Sequence, residues 1–260
     1  MTELLKWIPV SIILLLARAA GEGDGGRRMW LLPVGEAPPF RQVVEDGIRK
    51  ELPPPPGSLP PRAVEVRAAE VADDESADNE SGEAGGDEME KPVVLALGRL
   101  TAPLQVPGGQ RSMRVFVSGG GEEKPIPWLE FTTPEEGDFV VVVWRTGENW
   151  AEVASQVLPG VLQAGAVVFF NASPASVGLH WQGGKPGLKP GQTFRSELGG
   201  SVPAPLVVSV VEDGGRPRRL ARRSLEQAPG EASLVVFFRA DGWRPRAPVK
   251  MVVVRSRIGP

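Results

Sequence analysis

The sequence of 260 residues contains no cysteine and no tyrosine, and it has a single histidine, His180. Without cysteine the chain cannot form disulfides, thiolate zinc sites or a thiol nucleophile, and it cannot carry the acylated cysteine of a bacterial lipoprotein. One histidine cannot build a histidine-rich metal site, and the base that activates a nucleophile is most often a histidine. These absences disfavour catalysis. We therefore predict no enzyme activity, no catalytic residue, no metal site and no cofactor.

Charge is unevenly distributed, although the net charge is only −3. Residues 68–90 contain ten acidic residues and no basic one, whereas residues 93–260 contain 19 Lys and Arg against 14 Asp and Glu. A basic C-terminal part suits an anionic partner such as a polysaccharide, a lipid surface or nucleic acid. The alternative is that the acidic stretch only keeps itself solvated.

Residues 1–19 have the pattern of a secretory signal peptide. A polar start with Lys6 precedes an apolar stretch over residues 7–17, and Ala17 and Ala19 fit the small-x-small pattern of a cleavage site. The apolar stretch is far shorter than the roughly 20 residues that cross a bilayer. We predict an exported protein that is periplasmic, on the cell surface or extracellular. An uncleaved anchor is the alternative, and membrane contact is expected only through that segment.

Residues 20–52 are predicted to be a leader, and residues 53–91 a linker. Apolar residues at helical spacing predict a short amphipathic helix over residues 40–52, which ends at four consecutive prolines. The Pro-rich and acidic stretches of the linker cannot bury enough apolar surface to fold, so we expect a disordered spacer.

From residue 93 onward the pattern is one of short β-strands separated by Gly- and Pro-rich turns. Such turn signals at regular spacing are typical of a sandwich or barrel. The expected strands are 93–100, 111–118, 126–132, 138–145, 164–171, 177–182, 192–197, 204–212, 217–225, 232–239 and 248–257. Residues 149–157 fit either a helix or an edge strand. We predict an all-β, antiparallel, immunoglobulin-like sandwich over residues 93–260, with one core or with two lobes at 93–160 and 161–260.

Three segments share a small or acidic start, an apolar quartet and a polar end: EGDFVVVVWR, QAGAVVFFNA and EASLVVFFRA. Continuous apolar runs of this kind predict central strands that are buried on both faces, or strands at a contact between two sheets. Any sandwich core contains similar runs, so this echo does not by itself predict a duplicated fold.

One stretch, AVVFFNASPASVGLHWQGGKPGLKPGQTFR, raises the question of a binding loop. Asn171 and Ser173 can bond neighbouring backbone groups while Pro174 fixes its φ, which favours a strand-closing turn instead. Strand alternation then places Trp181 on the core face and His180 on the outer face.

The turn strings of this stretch are similar to those of exported bacterial β-sandwich domains, including the AlgF-like family of alginate acetylation accessory proteins. The matching strings are NASP at 171–174, GGKP at 183–186 and LKPGQ at 188–192. The chain also resembles uncharacterised signal-bearing exported proteins of bacteria. The resemblance implies an envelope or extracellular β-sandwich, and an accessory role in exopolysaccharide modification as an alternative function.

Four residues are candidates for ligand contact. Trp150 and Trp243 have polar or glycine neighbours, as expected of platforms that stack on sugar rings, although core packing is the alternative. Arg222 belongs to the basic segment 216–227, and Arg244 to a second basic stretch that also contains Arg246. Segment 216–227 fits an edge strand guarded by charge, or a patch for an anionic ligand. Nucleic acid is a disfavoured partner because no stacking aromatics are interleaved with these cations.

Together these observations predict a non-enzymatic, exported scaffold or interaction module of the cell envelope that binds a protein or a polysaccharide. Two alternatives remain open. One is the accessory subunit of exopolysaccharide modification. The other is a divergent carbohydrate-active enzyme, since glycosidase carboxylates can lie far apart in a sequence.

Overall fold

The computed structural model describes residues 26–69, 92–118, 125–198, 203–211, 217–242 and 245–257. These residues form eighteen β-strands and no helix, which confirms the predicted all-β class. The predicted signal peptide, nearly all of the acidic stretch, Trp243 and Arg244 lie outside the described residues. In the described ranges there is accordingly no helix that could span a membrane.

The first half of the chain builds two four-stranded sheets and a hairpin. Its strands are β1 (Arg27–Val34), β2 (Arg41–Glu45), β3 (Ile48–Leu52), β4 (Ala63–Ala68), β5 (Val93–Val94), β6 (Leu104–Val106), β7 (Ser112–Val117), β8 (Ile126–Thr132), β9 (Phe139–Arg145) and β10 (Val153–Pro159). The first inner sheet has the order β10-β9-β1-β6, and the first outer sheet has the order β5-β4-β7-β8. β2 and β3 pair only with each other among the described strands.

The second half builds two more four-stranded sheets. Its strands are β11 (Ala166–Asn171), β12 (Val177–Trp181), β13 (Gly187–Leu188), β14 (Thr193–Glu197), β15 (Ala204–Val211), β16 (Pro217–Leu225), β17 (Glu231–Arg239) and β18 (Val249–Arg257). The second inner sheet has the order β14-β11-β17-β18, and the second outer sheet has the order β13-β12-β15-β16.

The two halves share one topology once the hairpin is set aside. In each half the first strand pairs in parallel with the next-to-last strand, as β1 does with β9 and β11 with β17. All other pairings are antiparallel and correspond strand for strand, so the inner sheets are mixed and not purely antiparallel. The correspondence extends to turns, because Gly98 and Gly191 both have positive φ and donate their amides to Pro33 O and Asn171 O. The fold is therefore a duplicated sandwich, which the sequence echo alone did not predict.

The four sheets stack in the order outer, inner, inner, outer. Along β9, Val141 and Val143 pack against the first outer sheet, while Val140 and Val142 face the second inner sheet. β17 repeats this pattern, with Val235 facing its own outer sheet and Val236 facing the first half. Each inner sheet therefore packs against an outer sheet on one face and against the other inner sheet on its other face. This confirms the prediction that the three apolar runs are central strands buried on both faces.

The predicted domain boundary at residue 93 is wrong, because β1 and β4 belong to the first sandwich. β1 lies between β9 and β6 in the first inner sheet, although Pro33 argues against a central strand. In an extended strand the N–H and C=O of one residue point to the same side, and Pro33 O accepts a hydrogen bond from Gly98 N at 2.8 Å. An N–H at position 33 would therefore point toward the loop around Gly98 and not toward β9. Its absence removes no hydrogen bond between β1 and β9.

The predicted helix over residues 40–52 is also wrong. Residues 41–52 form the β2–β3 hairpin, whose two-residue turn has φ values of 52° at Asp46 and 76° at Gly47. Asp-Gly between β-branched runs favours this tight turn because both central residues need positive φ. The helical spacing of Phe40, Val44 and Ile48 is incidental, and all three side chains are exposed.

The remaining expected strands agree with the structure apart from their ends. The last five residues of the ambiguous segment 149–157 belong to β10, at the edge of the first inner sheet, and β16 is an edge strand as predicted. Only Val93–Val94 of the strand expected at 93–100 is extended, and the short strands β6 and β13 were not predicted.

Candidate functional site

The candidate site lies where the two halves meet at one end of the inner sheets. We call this surface the seam; it is formed by residues 34–36 and 144–148 of the first half and residues 171–174, 190–191, 218–220 and 238–250 of the second, except 243–244. Four adjoining cavities of 460, 530, 410 and 320 Å³ open along it. Binding sites favour such junctions between domains.

Ion pairs connect the two halves across the seam. Arg145, the last residue of β9, pairs with Asp241 after β17 and also donates to Glu148 O at 2.9 Å. Glu36 after β1 accepts hydrogen bonds from Lys250 of β18 and, at 3.1 Å, from Asp241 N. Glu36 and Asp241 are therefore each engaged by a cation from the opposite half.

These contacts control the ionisation of Glu36. Its partial burial by itself raises the pKa, but the hydrogen bonds from Lys250 and Asp241 N and the positive charges of Lys250 and Arg145 outweigh that effect. The pKa of Glu36 is consequently held below its ordinary value. This is the opposite of what a general acid needs at neutral pH.

The 530 Å³ cavity, which we call the basic cavity, is bordered by four cationic side chains and two carboxylates. Its cations are Arg218, Arg219, Arg246 and Lys250, and its carboxylates are Glu36 and Asp241. Arg219 and Arg246 are exposed and make no ion pair with the residues that the structure describes. Among the residues that the structure describes, the side chains bordering this cavity therefore carry more positive than negative charge.

A bulge in β16 determines which arginines border this cavity. Val208 pairs with Ala221 and Ser209 with Arg219, so Leu220 is an additional residue in β16. Bulges change the direction in which neighbouring side chains project. Arg219 borders the basic cavity, whereas Arg222 pairs with Val207 and is not among the residues that border it.

The 320 Å³ cavity, which we call the aromatic cavity, lies next to the NASP and LKPGQ turns. Its walls include the partly exposed Trp144, together with Pro174 and Pro190, and Arg239 borders it. The Trp144 ring stands edge-on to Phe170, with centroids 5.6 Å apart and an interplanar angle of 62°. The cavity thus combines apolar walls with a cationic side chain.

Asn171 holds the two turns together from a fully buried position. Its Nδ2 donates to Ala175 O at 2.8 Å and to Leu188 O at 3.0 Å, and its Oδ1 accepts from the amide and the hydroxyl of Ser173. The predicted role of Asn171 and Ser173 in closing the strand is confirmed. The turn nevertheless forms one wall of the aromatic cavity.

The sequence-based candidates occupy different places. Trp150 is 2% exposed and packs in the core of the first sandwich, so its ring is not accessible to a sugar. Arg222 is exposed on the outer face of the second outer sheet, where it and His180 flank Val207. Trp181 is buried against Phe169, as predicted. Arg246, two residues after the candidate Arg244, borders the basic cavity together with Arg218 and Arg219 of the basic segment.

Sequence reasoning missed the residues at the centre of the seam. Arg239 borders three of the four cavities, and Trp144 borders two. The sequence contained one indication of these residues. The similar segments EGDFVVVVWR and EASLVVFFRA place Arg145 and Arg239 at equivalent positions, each at the end of an apolar run. The sequence did not reveal that these strand ends meet.

No metal centre is apparent among the described residues, where no group of three or more His, Asp or Glu side chains is suitably placed. No protein-family model matches the sequence, and a search of curated proteins found no match. The geometry of the seam is therefore the basis on which a function is assigned.

Proposed function

We propose that this protein is a non-enzymatic, exported binding module of the cell envelope and that its ligand is an acidic polysaccharide bound along the seam. The observation that carries this proposal is the basic cavity. Its two carboxylates are engaged by Lys250 and Arg145, while Arg219 and Arg246 remain exposed cations. A neutral glycan would leave these charges unused, whereas uronate carboxylates or sulfates would pair with them.

The shape of the site supports a polymer as the ligand. The four cavities share bordering residues, with Asp241 common to the first two and Pro245 common to the basic cavity and its 410 Å³ neighbour. Each volume falls near the lower end of the range of about 300–1,000 Å³ that is typical of small-molecule pockets. A row of adjoining small cavities suits successive units of a chain better than one compact ligand.

The test is binding of the purified full chain to defined glycans. We expect polyuronate oligomers to bind and uncharged glucan oligomers of equal length not to bind, with affinity falling as salt rises. The Arg219→Ala/Arg246→Ala variant should lose binding at least about tenfold. The matched control is Arg222→Ala/Arg41→Ala, which removes the same charge from exposed positions that do not border the cavity and should bind as the parent protein does.

Two outcomes would overturn the proposal. If no acidic glycan binds across a broad panel, the ligand class is wrong. If both double variants lose the same affinity, binding follows net charge and not the basic cavity.

A second candidate is an accessory role in exopolysaccharide modification. The observation that favours it is that two of the three turn strings of the AlgF-like resemblance, NASP and LKPGQ, meet in space. Asn171 bonds to Leu188 O and receives the amide of Gly191. Deleting the gene should then lower the O-acetyl content of the exported polysaccharide, whereas unchanged acetylation with retained glycan binding would leave the first proposal standing alone.

A further inference from the structure

Among the described residues, Arg239 is the only cation that borders the 460, 410 and 320 Å³ cavities together. It ends β17, is exposed, and makes no hydrogen bond or ion pair with the described part of the chain. Its counterpart in the duplicated fold, Arg145, is engaged by Asp241 and Glu148 O. Two equivalent arginines thus meet at the seam, and only Arg239 is available to a ligand.

Trp144 precedes Arg145 and is likewise distinguished from its counterpart, Phe238. Phe238 is buried in the core between the inner sheets, whereas Trp144 is partly exposed and borders the 460 and 320 Å³ cavities. Its edge-on contact with Phe170 fixes the plane of the indole. An indole with a fixed plane and an accessible surface presents a broad apolar area that requires little ordering on binding.

The other polar groups around the aromatic cavity are already used. Ser173 donates its hydroxyl to Asn171 Oδ1 at 2.7 Å, Asn171 is saturated within the turn, and Thr146 donates to Glu152 O at 3.3 Å. Arg239 therefore supplies the free hydrogen-bond donors of a cavity that is otherwise walled by Trp144, Pro174 and Pro190. The complementary ligand has an apolar ring face and one negative group at its edge.

We propose that Trp144 and Arg239 form a second subsite of the seam, in which the indole stacks on a pyranose ring and the guanidinium binds the carboxylate of that ring. This inference rests on the proposed function and deepens it, because it identifies the ligand as a uronic acid polymer and not merely an anion. The subsite is joined to the basic cavity through the cavities that Arg239 and Asp241 border. One polymer chain therefore engages both ends of the seam.

The test uses the full chain labelled with ¹⁵N-tryptophan and titrated with polyuronate oligomers. The indole N–H resonance of Trp144, assigned by its loss in Trp144→Phe, should shift on binding. The indole N–H of Trp181 is an internal control, since it is buried and donates to Ser196 Oγ at 3.0 Å. It should not shift.

Calorimetry then separates the subsite from the basic cavity. Arg239→Gln should weaken binding of long polyuronate oligomers about tenfold, and Trp144→Leu should have a similar effect, while Arg114→Gln on the first outer sheet should have none. Arg239→Gln keeps the inference testable if Trp144→Leu is unstable, because Arg239 is exposed and has no partner among the described residues.

The two proposals fail differently. If Arg239→Gln binds as tightly as the parent protein and the Trp144 resonance does not move, while Arg219→Ala/Arg246→Ala still loses binding, the subsite is overturned and the proposed function stands. If no polyuronate binds to the parent protein, the proposed function fails. A dextran sulfate that binds as tightly as polyuronate, with neither ligand shifting the Trp144 resonance, would show that charge alone is recognised and would overturn the subsite.

Discussion

Arg145 and Asp241 form an ion pair that joins the end of β9 in the first half to the segment after β17 in the second. The side chain of Arg145 is only 14% exposed and that of Asp241 is 33% exposed, so the pair is shielded from solvent more than most surface pairs. Together with Glu36 and Lys250 it fixes how the two sandwiches meet at the seam.

Breaking this pair should destabilise the protein more than breaking a surface pair. For Asp241→Asn we expect the free energy of unfolding to fall by about 1–3 kcal/mol, because the shielded guanidinium loses its charge partner. Glu130→Gln is the control: it removes the partner of Arg114 in a pair that is 48% and 52% exposed, where solvent screening should make the loss smaller than that of Asp241→Asn. Urea unfolding measures both variants, and equal losses would contradict the role assigned to the seam pair.

The lowered pKa of Glu36 predicts a defined dependence of stability on pH. A carboxyl whose folded pKa lies below its ordinary value of 4.5 contributes stability above that value, and the contribution is lost as pH falls through the folded pKa. Glu36→Gln should therefore be less stable than the parent protein at pH 7, and the difference should shrink as pH falls below 4.5. Urea unfolding at a series of pH values tests this. A difference that stays constant down to pH 3 would refute it, and Glu51→Gln on the exposed hairpin is the control.

The duplicated glycines Gly98 and Gly191 should differ in their tolerance of a side chain. Both have positive φ, at 68° and 77°, so Gly→Ala should cost about 1–2 kcal/mol at either position. A Cβ at Gly98 would also lie 3.2 Å from Val252 Cγ2 of the other half, whereas a Cβ at Gly191 meets nothing within 4 Å. We expect Gly98→Ala to be less stable than Gly191→Ala by about 1 kcal/mol in denaturant unfolding. The reverse order would contradict the packing of the two halves.

Asn171 should be among the most sensitive polar residues. Removing its side chain leaves Leu188 O and the Ser173 amide without their buried side-chain partner, while the Ser173 hydroxyl keeps only Ala175 O at 3.1 Å. Asn171→Ala should lower the free energy of unfolding by about 3 kcal/mol or more. The control, Asn149→Ala, removes an exposed side chain that accepts only from Ala151 N, and it should cost about 1 kcal/mol or less. Comparable losses would mean that the Asn171 network contributes little.

The β2–β3 hairpin should be dispensable for the fold. It has no counterpart between β11 and β12, it pairs with no other described strand, and most of its residues are exposed. Replacing residues 40–52 by a short Gly-Ser linker should leave the urea midpoint nearly unchanged and polyuronate binding intact. A large drop in the midpoint would show that the hairpin supports the first sandwich.

The errors made from the sequence have physical causes. The β2–β3 segment satisfied a helical spacing, but Asp46-Gly47 supplied a tight turn, and nothing local decided between the two patterns. β1 falls within the predicted leader, and its Pro33 is unfavourable in a central strand; only the loop around Gly98 explains why it is tolerated. The predicted domain boundary at residue 93 was wrong because β1, at one end of the described chain, completes a sheet whose other strands lie far away in sequence.

The candidate site was predicted only in part. The basic segment and Arg246 were identified from charge, whereas Trp144 and Arg239 were not, because their importance arises from two strand ends that meet across the seam. The choice between Arg219 and Arg222 depended on the bulge at Leu220, which no sequence pattern marked.

The sequence by itself determined the all-β class, most strand positions, the buried runs of β9, β11 and β17 and the turn around Asn171, because alternation, β-branched residues and turn formers act over a few neighbouring residues. Only the tertiary structure decided that the fold is duplicated, that the inner sheets face each other and that Arg145 is paired while Arg239 is free. Both faces of an apolar strand such as β9 look alike in the sequence, and which sheet covers each face depends on strands that lie elsewhere in the chain, from β4 to β18.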